Sequence, residues 1–285
     1  MAVDLRGKPI LITGASSGIG RATALACARA GMPVALAARR LDRLEALAGE
    51  IASAGGRSAA FELDVADAVG CEACVSRAEA ALGPLHAVFA NAGRGLRVPF
   101  VAMDDRALRE IFEVNLFGTV NTLRPAVEGF VRRGSGHALI CSSSIGKLPL
   151  PGYGAYCATK AAQWHLGLAM RHELAPLGVA VSTVHPIGTR TEFFDRSGEG
   201  AGGDGGGIAA ATPAVFMQPP ERVARAVIGC LRRPRAEVWT SLSSRLTLGL
   251  LSAFPGLGEV ALRAASRRLG GRPTGAGGGS PAGGA

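Results

Sequence analysis

The sequence has no apolar run approaching the roughly 18 residues expected of a membrane-spanning helix. Its first residues, MAVDLRGKPILITG, are interrupted by charges and by Pro9, and their apolar stretch is too short for a secretory leader. A soluble, cytoplasmic protein is therefore expected. The six cysteines, Cys27, Cys71, Cys74, Cys141, Cys157 and Cys230, are scattered and are expected to be reduced thiols. Cys71 and Cys74 have the spacing of half a zinc or redox motif, but no second Cys or His pair completes it, so no metal site is expected. Cys157, beside Tyr156, is expected to be open to thiol reagents, with no catalytic role. Acids are scarce at one end. From Arg222 onward ten arginines stand against two acids, Glu237 and Glu259, which accounts for +8 of the net +9. That charge suits an anionic membrane surface, an acidic partner or a solvated face. No nucleic-acid motif accompanies it, so DNA or RNA is not an expected partner.

What is present is a chain of 285 residues, 48% hydrophobic, enough for one large α/β domain. Pro9–Thr13 reads as a short apolar strand that runs into Gly14-Ala-Ser-Ser-Gly18-Ile-Gly20 and then a helical run, Arg21–Ala30. Strand, glycine turn and helix open a nucleotide-binding βαβ unit, in which a pyrophosphate meets free N–H groups and the positive end of the helix dipole. A second strand, Val34–Ala38, ends in Arg39-Arg40. An acid at this strand end would hold the adenosine ribose and select NAD. Ala38 stands there instead, and the arginine pair suits a 2′-phosphate, which points to NADP(H).

Helices are expected at Leu41–Ala54 and Ala68–Leu82, and strands at Ser58–Leu63 and Leu85–Ala90. The alternation predicts a doubly wound, Rossmann-like parallel sheet covered on both faces. Polar residues collect where strands end: Asp64-Val65 after the third, Asn91-Ala92-Gly93 after the fourth, Ser142-Ser143-Ser144 after the fifth (Gly136–Cys141) and His185-Pro186 after the sixth (Val179–Val184). This is the rim where ligands bind in such sheets. Asp104 or Asp105 caps a long helix with Asn115 in the middle of its apolar face, and Pro125 is expected to bend or interrupt it. In the next helix, which runs to about Leu177, Tyr156 and Lys160 share a face at i, i+4. A cation held near a phenol lowers its pKa, which makes the phenol useful as a general acid/base.

Gly14-x-x-x-Gly18-x-Gly20, Asp64, Asn91-Ala-Gly93, Asn115, Ser143 and Tyr156-x-x-x-Lys160 resemble, in order and spacing, the short-chain dehydrogenases/reductases over about residues 5–240. The resemblance implies that Tyr156 is the general acid/base and that Lys160 lowers its pKa and holds the nicotinamide ribose. It implies that Ser143 hydrogen-bonds the substrate oxygen and that Asn115 anchors a water in the proton relay. Gly14, Ser16, Gly18, Ile19, Arg39, Asp64 and Asn91 would line the cofactor, with Asp64 at the adenine. Their motif neighbours Ser17, Gly20, Arg40, Val65, Ala92 and Gly93, and Pro186, Thr189 and Thr191, are expected to join them. One departure is Pro186-Ile-Gly-Thr-Arg-Thr191, in which the glycine is displaced by one position from the family pattern.

The expected organisation is a catalytic domain over 1–240, a basic amphipathic extension over 241–269 and a disordered tail over 270–285. The glycine-rich segment 192–213, flanked by Phe193, Phe194, Phe216 and Met217, reads as a substrate lid or a disordered loop. Packing of 242–269 on the protein is favoured over membrane contact. The expected activity is hydride transfer between NADP(H) and a small secondary alcohol or ketone, apolar in character, by a dimer or tetramer. An NAD(H)-linked member of the family and a non-catalytic NADP-binding sensor or scaffold remain as alternatives.

Overall fold

The computed structural model describes residues 2–148, 150–189 and 217–269. Seven strands form one parallel sheet: β1 (Ile10–Thr13), β2 (Val34–Ala38), β3 (Ser58–Glu62), β4 (Ala87–Ala90), β5 (Gly136–Cys141), β6 (Val179–His185) and β7 (Glu237–Trp239). Their order is β3-β2-β1-β4-β5-β6-β7. The order reverses between β1 and β4, which opens a crevice beyond the carboxyl ends of those strands.

Helices cover both faces, as continuous apolar strands require. The residues of β1 alternate between two cores. Ile10 and Ile12 pack with Val34, Leu36 and Phe89 under α1 (Gly18–Arg29), α2 (Leu41–Ser53) and α7 (Pro220–Arg232). Leu11 packs with Ala35, Val88 and Ile140 on the opposite face, under α3 (Ala68–Leu82), α5 (Gly118–Arg133) and α6 (Gly154–Leu174).

Several local expectations change. α1 starts at Gly18, inside the glycine turn, rather than at Arg21. The long helix around Asn115 is not one α-helix. α4 (Asp105–Phe112), capped by the Asp104 carboxylate, passes into a π-helical turn at Glu113–Phe117 and then into α5. The irregularity lies at Asn115, and α5 runs on through Pro125 without a break. The 242–269 segment forms two helices, α8 (Leu242–Ala253) and α9 (Pro255–Leu269), because Pro255 ends the first and starts the second. Among the described residues no helix is long and apolar enough to cross a membrane. Thr191, the glycine-rich segment with Phe193, Phe194 and Phe216, and the 270–285 tail lie outside the described residues.

Candidate active site

The glycine turn is pinned to the end of β4. Asn91 donates its Nδ2–H to the Thr13 carbonyl at 3.0 Å, and the Asn91 and Ala92 amides both donate to Thr13 Oγ1, at 3.1 and 3.2 Å. Gly14 and Gly18 take φ of 67° and 54°, the left-handed region that favours glycine. A Cβ on Gly14 would stand 2.9 Å from Ala92 Cα, and one on Gly20 would overlap the Gly14 carbonyl oxygen and stand 2.8 Å from Asn91 Nδ2. Ser17 begins α1 without capping it, so its hydroxyl leaves the first N–H groups of the helix to another acceptor. A bare backbone turn running into an uncapped helix N-terminus fits a pyrophosphate.

Arg40 reaches this turn from the end of β2, with Nη2–H donating at 3.0 Å to both Ser16 Oγ and Ser17 Oγ. Arg39 is exposed beside it. Asp64 is exposed and accepts the Ala66 amide, and the Val65 carbonyl is fixed by Asn121 Nδ2–H at 3.0 Å. Pro186 is buried and accepts the Ser144 amide at 3.0 Å. Thr189 donates its hydroxyl to the Ile187 carbonyl and pairs with Gln218. Ile19 packs against the core under α1, and Gly93 sits at the mouth, where an added Cβ would lie 3.1 Å from Asn115 Oδ1 and 3.6 Å from Lys160 Nζ.

The four residues singled out for chemistry meet next to this turn. Tyr156 and Lys160 lie on the first turns of α6, only 7% and 4% exposed. Lys160 Nζ donates to the Cys141 carbonyl at 2.8 Å and to Gln163 Oε1 at 2.9 Å, and it stands 5.6 Å from the centre of the Tyr156 ring. The Ser143 hydroxyl hydrogen-bonds to the Tyr156 phenol. Asn115 is completely buried. Its Oδ1 accepts the Arg94 amide at 2.8 Å, and its Nδ2–H groups reach the Arg94 carbonyl at 3.0 Å and Thr159 Oγ1 at 3.1 Å. The π turn makes this geometry possible, since its wider register frees backbone groups. The Asn115 carbonyl, for example, accepts from Thr119 Oγ1 and Gln163 Nε2.

Electrostatics differ from the sequence expectation. Burial pushes the Tyr156 phenol up rather than down, and the Ser143 hydrogen bond opposes this only in part. Burial also pushes the Lys160 ammonium down. The i, i+4 spacing does put both on one face, but the ammonium is engaged by two other oxygens. Cys157 is likewise buried, so the expectation of an accessible thiol fails; Tyr156 and Cys157 lie on the covered side of the first turn of α6.

Sequence reasoning missed the residues that hold these four in place. Gln163 joins Lys160 to Asn115 and Thr119, and the Ser142 hydroxyl donates to the Lys160 carbonyl at 2.8 Å. The available signal was a polar residue one turn beyond Lys160, on the same covered face.

Comparison with known proteins agrees with this geometry. A family model described as short chain dehydrogenase matches residues 8–201. The glycine betaine reductase ATRR of Emericella nidulans is 36% identical over 237 residues, 81% of this chain but 18% of that protein. The chain thus spans less than a fifth of that relative. An alcohol dehydrogenase from the archaeon Thermococcus sibiricus, solved with 5-hydroxy-NADP, is 32% identical with a TM-score of 0.71, covering 81% of this chain and 95% of its own. A short chain dehydrogenase/reductase from Burkholderia phymatum, solved with NAD, has a TM-score of 0.78 at 22% identity over 90% of this chain and 96% of its own, which speaks to fold alone.

Proposed function

The chain belongs to the short chain dehydrogenase family, and from that premise we propose that it transfers a hydride between NADP(H) and an apolar secondary alcohol or ketone. The observation that carries this reading is the meeting of Ser143, Tyr156, Lys160 and Asn115 in one hydrogen-bonded cluster beside the glycine turn. Gly14, Ser16, Ser17, Gly18, Ile19 and Gly20 would cradle the pyrophosphate, with Asp64, Val65, Asn91, Ala92, Gly93, Pro186 and Thr189 along the rest of the cofactor. When bound, the cofactor supplies or accepts the hydride.

The chain's own residues manage the oxygen. Tyr156, which burial keeps protonated, gives its proton to the carbonyl oxygen in reduction and recovers one from the alcohol in oxidation. Ser143 donates to the same oxygen as its charge grows. The Lys160 ammonium favours the phenolate after the proton has left, and Asn115 anchors the water that refills it.

The phosphorylated cofactor is favoured by Ala38, which stands where an acid would hold the ribose, and by Arg40 with the two hydroxyls it already touches. The Thermococcus relative, crystallised with an NADP derivative, supports the same choice.

The test is NADPH oxidation with a panel of ketones. Tyr156→Phe is expected to lower kcat at least about 100-fold while NADPH still binds. Wild-type turnover no greater than that of this variant on every ketone would favour a cofactor-binding scaffold. Replacing Arg39 and Arg40 together by Ala is expected to raise KM for NADPH about tenfold or more, with little change for NADH. Equal effects on the two would defeat the 2′-phosphate argument.

A further inference from the structure

We propose that His185, at the end of β6, is a positioning residue for Ser143, acting through a hydrogen bond from its ring to the Ser143 carbonyl. This rests on the reading of Ser143 as the group that meets the substrate oxygen.

His185 is completely buried, and its Nδ1 lies 3.3 Å from the Ser143 carbonyl oxygen. That oxygen can only accept, so Nδ1 carries the proton. Burial pushes the imidazole pKa down to about 4, so the ring is neutral near pH 7 and Nε2 presents a lone pair. Thr183 Oγ1, 3.0 Å from Nε2, can donate to that lone pair, its other acceptor being the Ala236 carbonyl at the longer distance of 3.3 Å. One tautomer satisfies both ring nitrogens.

The ring plane is fixed as well. Trp239 stacks on it at 4.7 Å and 12°, and Trp164 meets it edge-on at 6.3 Å and 82°. These are the only two tryptophans of the chain, and each donates its Nε1–H to Glu237 at 2.8 Å. Lys147 completes the box. Its ammonium donates to Glu237 at 3.0 Å and lies 4.1 Å over the Trp164 ring. Lys147 and Glu237 are the charged groups facing the histidine.

One residue further along both segments, the Ser144 amide donates to the Pro186 carbonyl at 3.0 Å. Two hydrogen bonds of opposite direction thus join Ser143-Ser144 to His185-Pro186. They fix the backbone from which the Ser143 hydroxyl projects, and they tie it to the segment expected beside the nicotinamide. A backbone that drifts by a fraction of an ångström misaligns such a donor, and misalignment of this size costs rate rather than folding.

The first measurement is the nitrogen-15 shifts of the His185 ring at neutral pH in the full chain, assigned by their loss in His185→Asn. An Nδ1–H tautomer is expected, and an Nε2–H tautomer would overturn the proposal. The second is kinetics with NADPH and the best ketone of the panel. His185→Phe keeps the stack and loses the donor. Its kcat is expected to fall about tenfold or more with KM for NADPH unchanged. His185→Asn restores a donor where Nδ1 stood and is expected to come within about threefold of wild type. Full activity in His185→Phe, alongside an inactive Ser143→Ala, would overturn the inference and leave the reading of Ser143 intact. Full activity in Ser143→Ala would instead bring down that reading. If His185→Phe does not fold, His185→Gln takes its place, with its amide where Nε2 stood. Activity retained by Gln and lost by Asn would overturn the proposal.

Discussion

Lys160 is 4% exposed, and its charge survives there because oxygens face it. One belongs to a backbone carbonyl that no substitution removes, and the other to Gln163. Burial already lowers the Lys160 pKa, and losing an acceptor lowers it further. Gln163→Leu is therefore expected to destabilise the protein by about 1–3 kcal/mol, since it also strips a donor from the Asn115 carbonyl. A urea midpoint equal to that of the wild type would contradict this account. The same variant should shift the pH profile of turnover, whereas a purely structural glutamine would leave the profile in place. Tyr156 carries the complementary lesson. Its neighbourhood holds the proton on, which suits an acid toward a ketone more than a resting phenolate.

The glycine turn and the π turn are the two elements that make the site. In the first, backbone packs on backbone. Gly20→Ala would force a methyl against the Gly14 carbonyl and Asn91. It is expected to cost about 1–3 kcal/mol of stability and to weaken NADPH binding together with it. An alanine variant that binds as tightly as wild type in a titration would show that the turn has slack. This element was legible in the sequence because glycine spacing, strand and helix are contiguous. So were the strand ends, since a parallel sheet turns buried apolar runs into strands and puts the polar residues after them at one rim. The π turn was not. Nothing in Glu113–Phe117 distinguishes it from an α-helical turn, and only the distant partners of Asn115, such as Thr159 and Gln163, give it a reason. The box around His185 was hidden in the same way. Lys147 and Glu237 lie 90 residues apart, and no local pattern joins them. Of the two effects expected of Pro125, the interruption does not occur, since α5 runs on through it.

Across the whole molecule, burial of histidines sets the response to acid. His137 lies in the core of β5 with its pKa pushed down to about 3, and desolvation moves His185 and His86 in the same direction. The His137 Nε2–H donates to Ser182 Oγ at 2.8 Å, while its Nδ1 has no partner among the described residues, which fits a neutral ring. For His137 and His185 an unfolded chain takes up the proton near pH 6.5, and the folded one resists until far lower. The contribution of these two is complete above about pH 6.5 and is lost as pH falls toward 4, at about 1.4 kcal/mol per pH unit for each. The urea midpoint is expected to be level from pH 7 to 8 and to drop steadily below 6. A midpoint independent of pH between 6.5 and 4.5 would show that these rings are protonated in the folded state.

All six thiols are buried, five of them within the two cores that the sheet and its helices enclose. To chemistry applied from outside, the native protein is then nearly a cysteine-free background. A single cysteine introduced on the exposed face of α8 would be the one position that a maleimide dye or a spin label modifies. Reporters of distance or of local motion can thus be attached to this chain without first removing any of its natural cysteines.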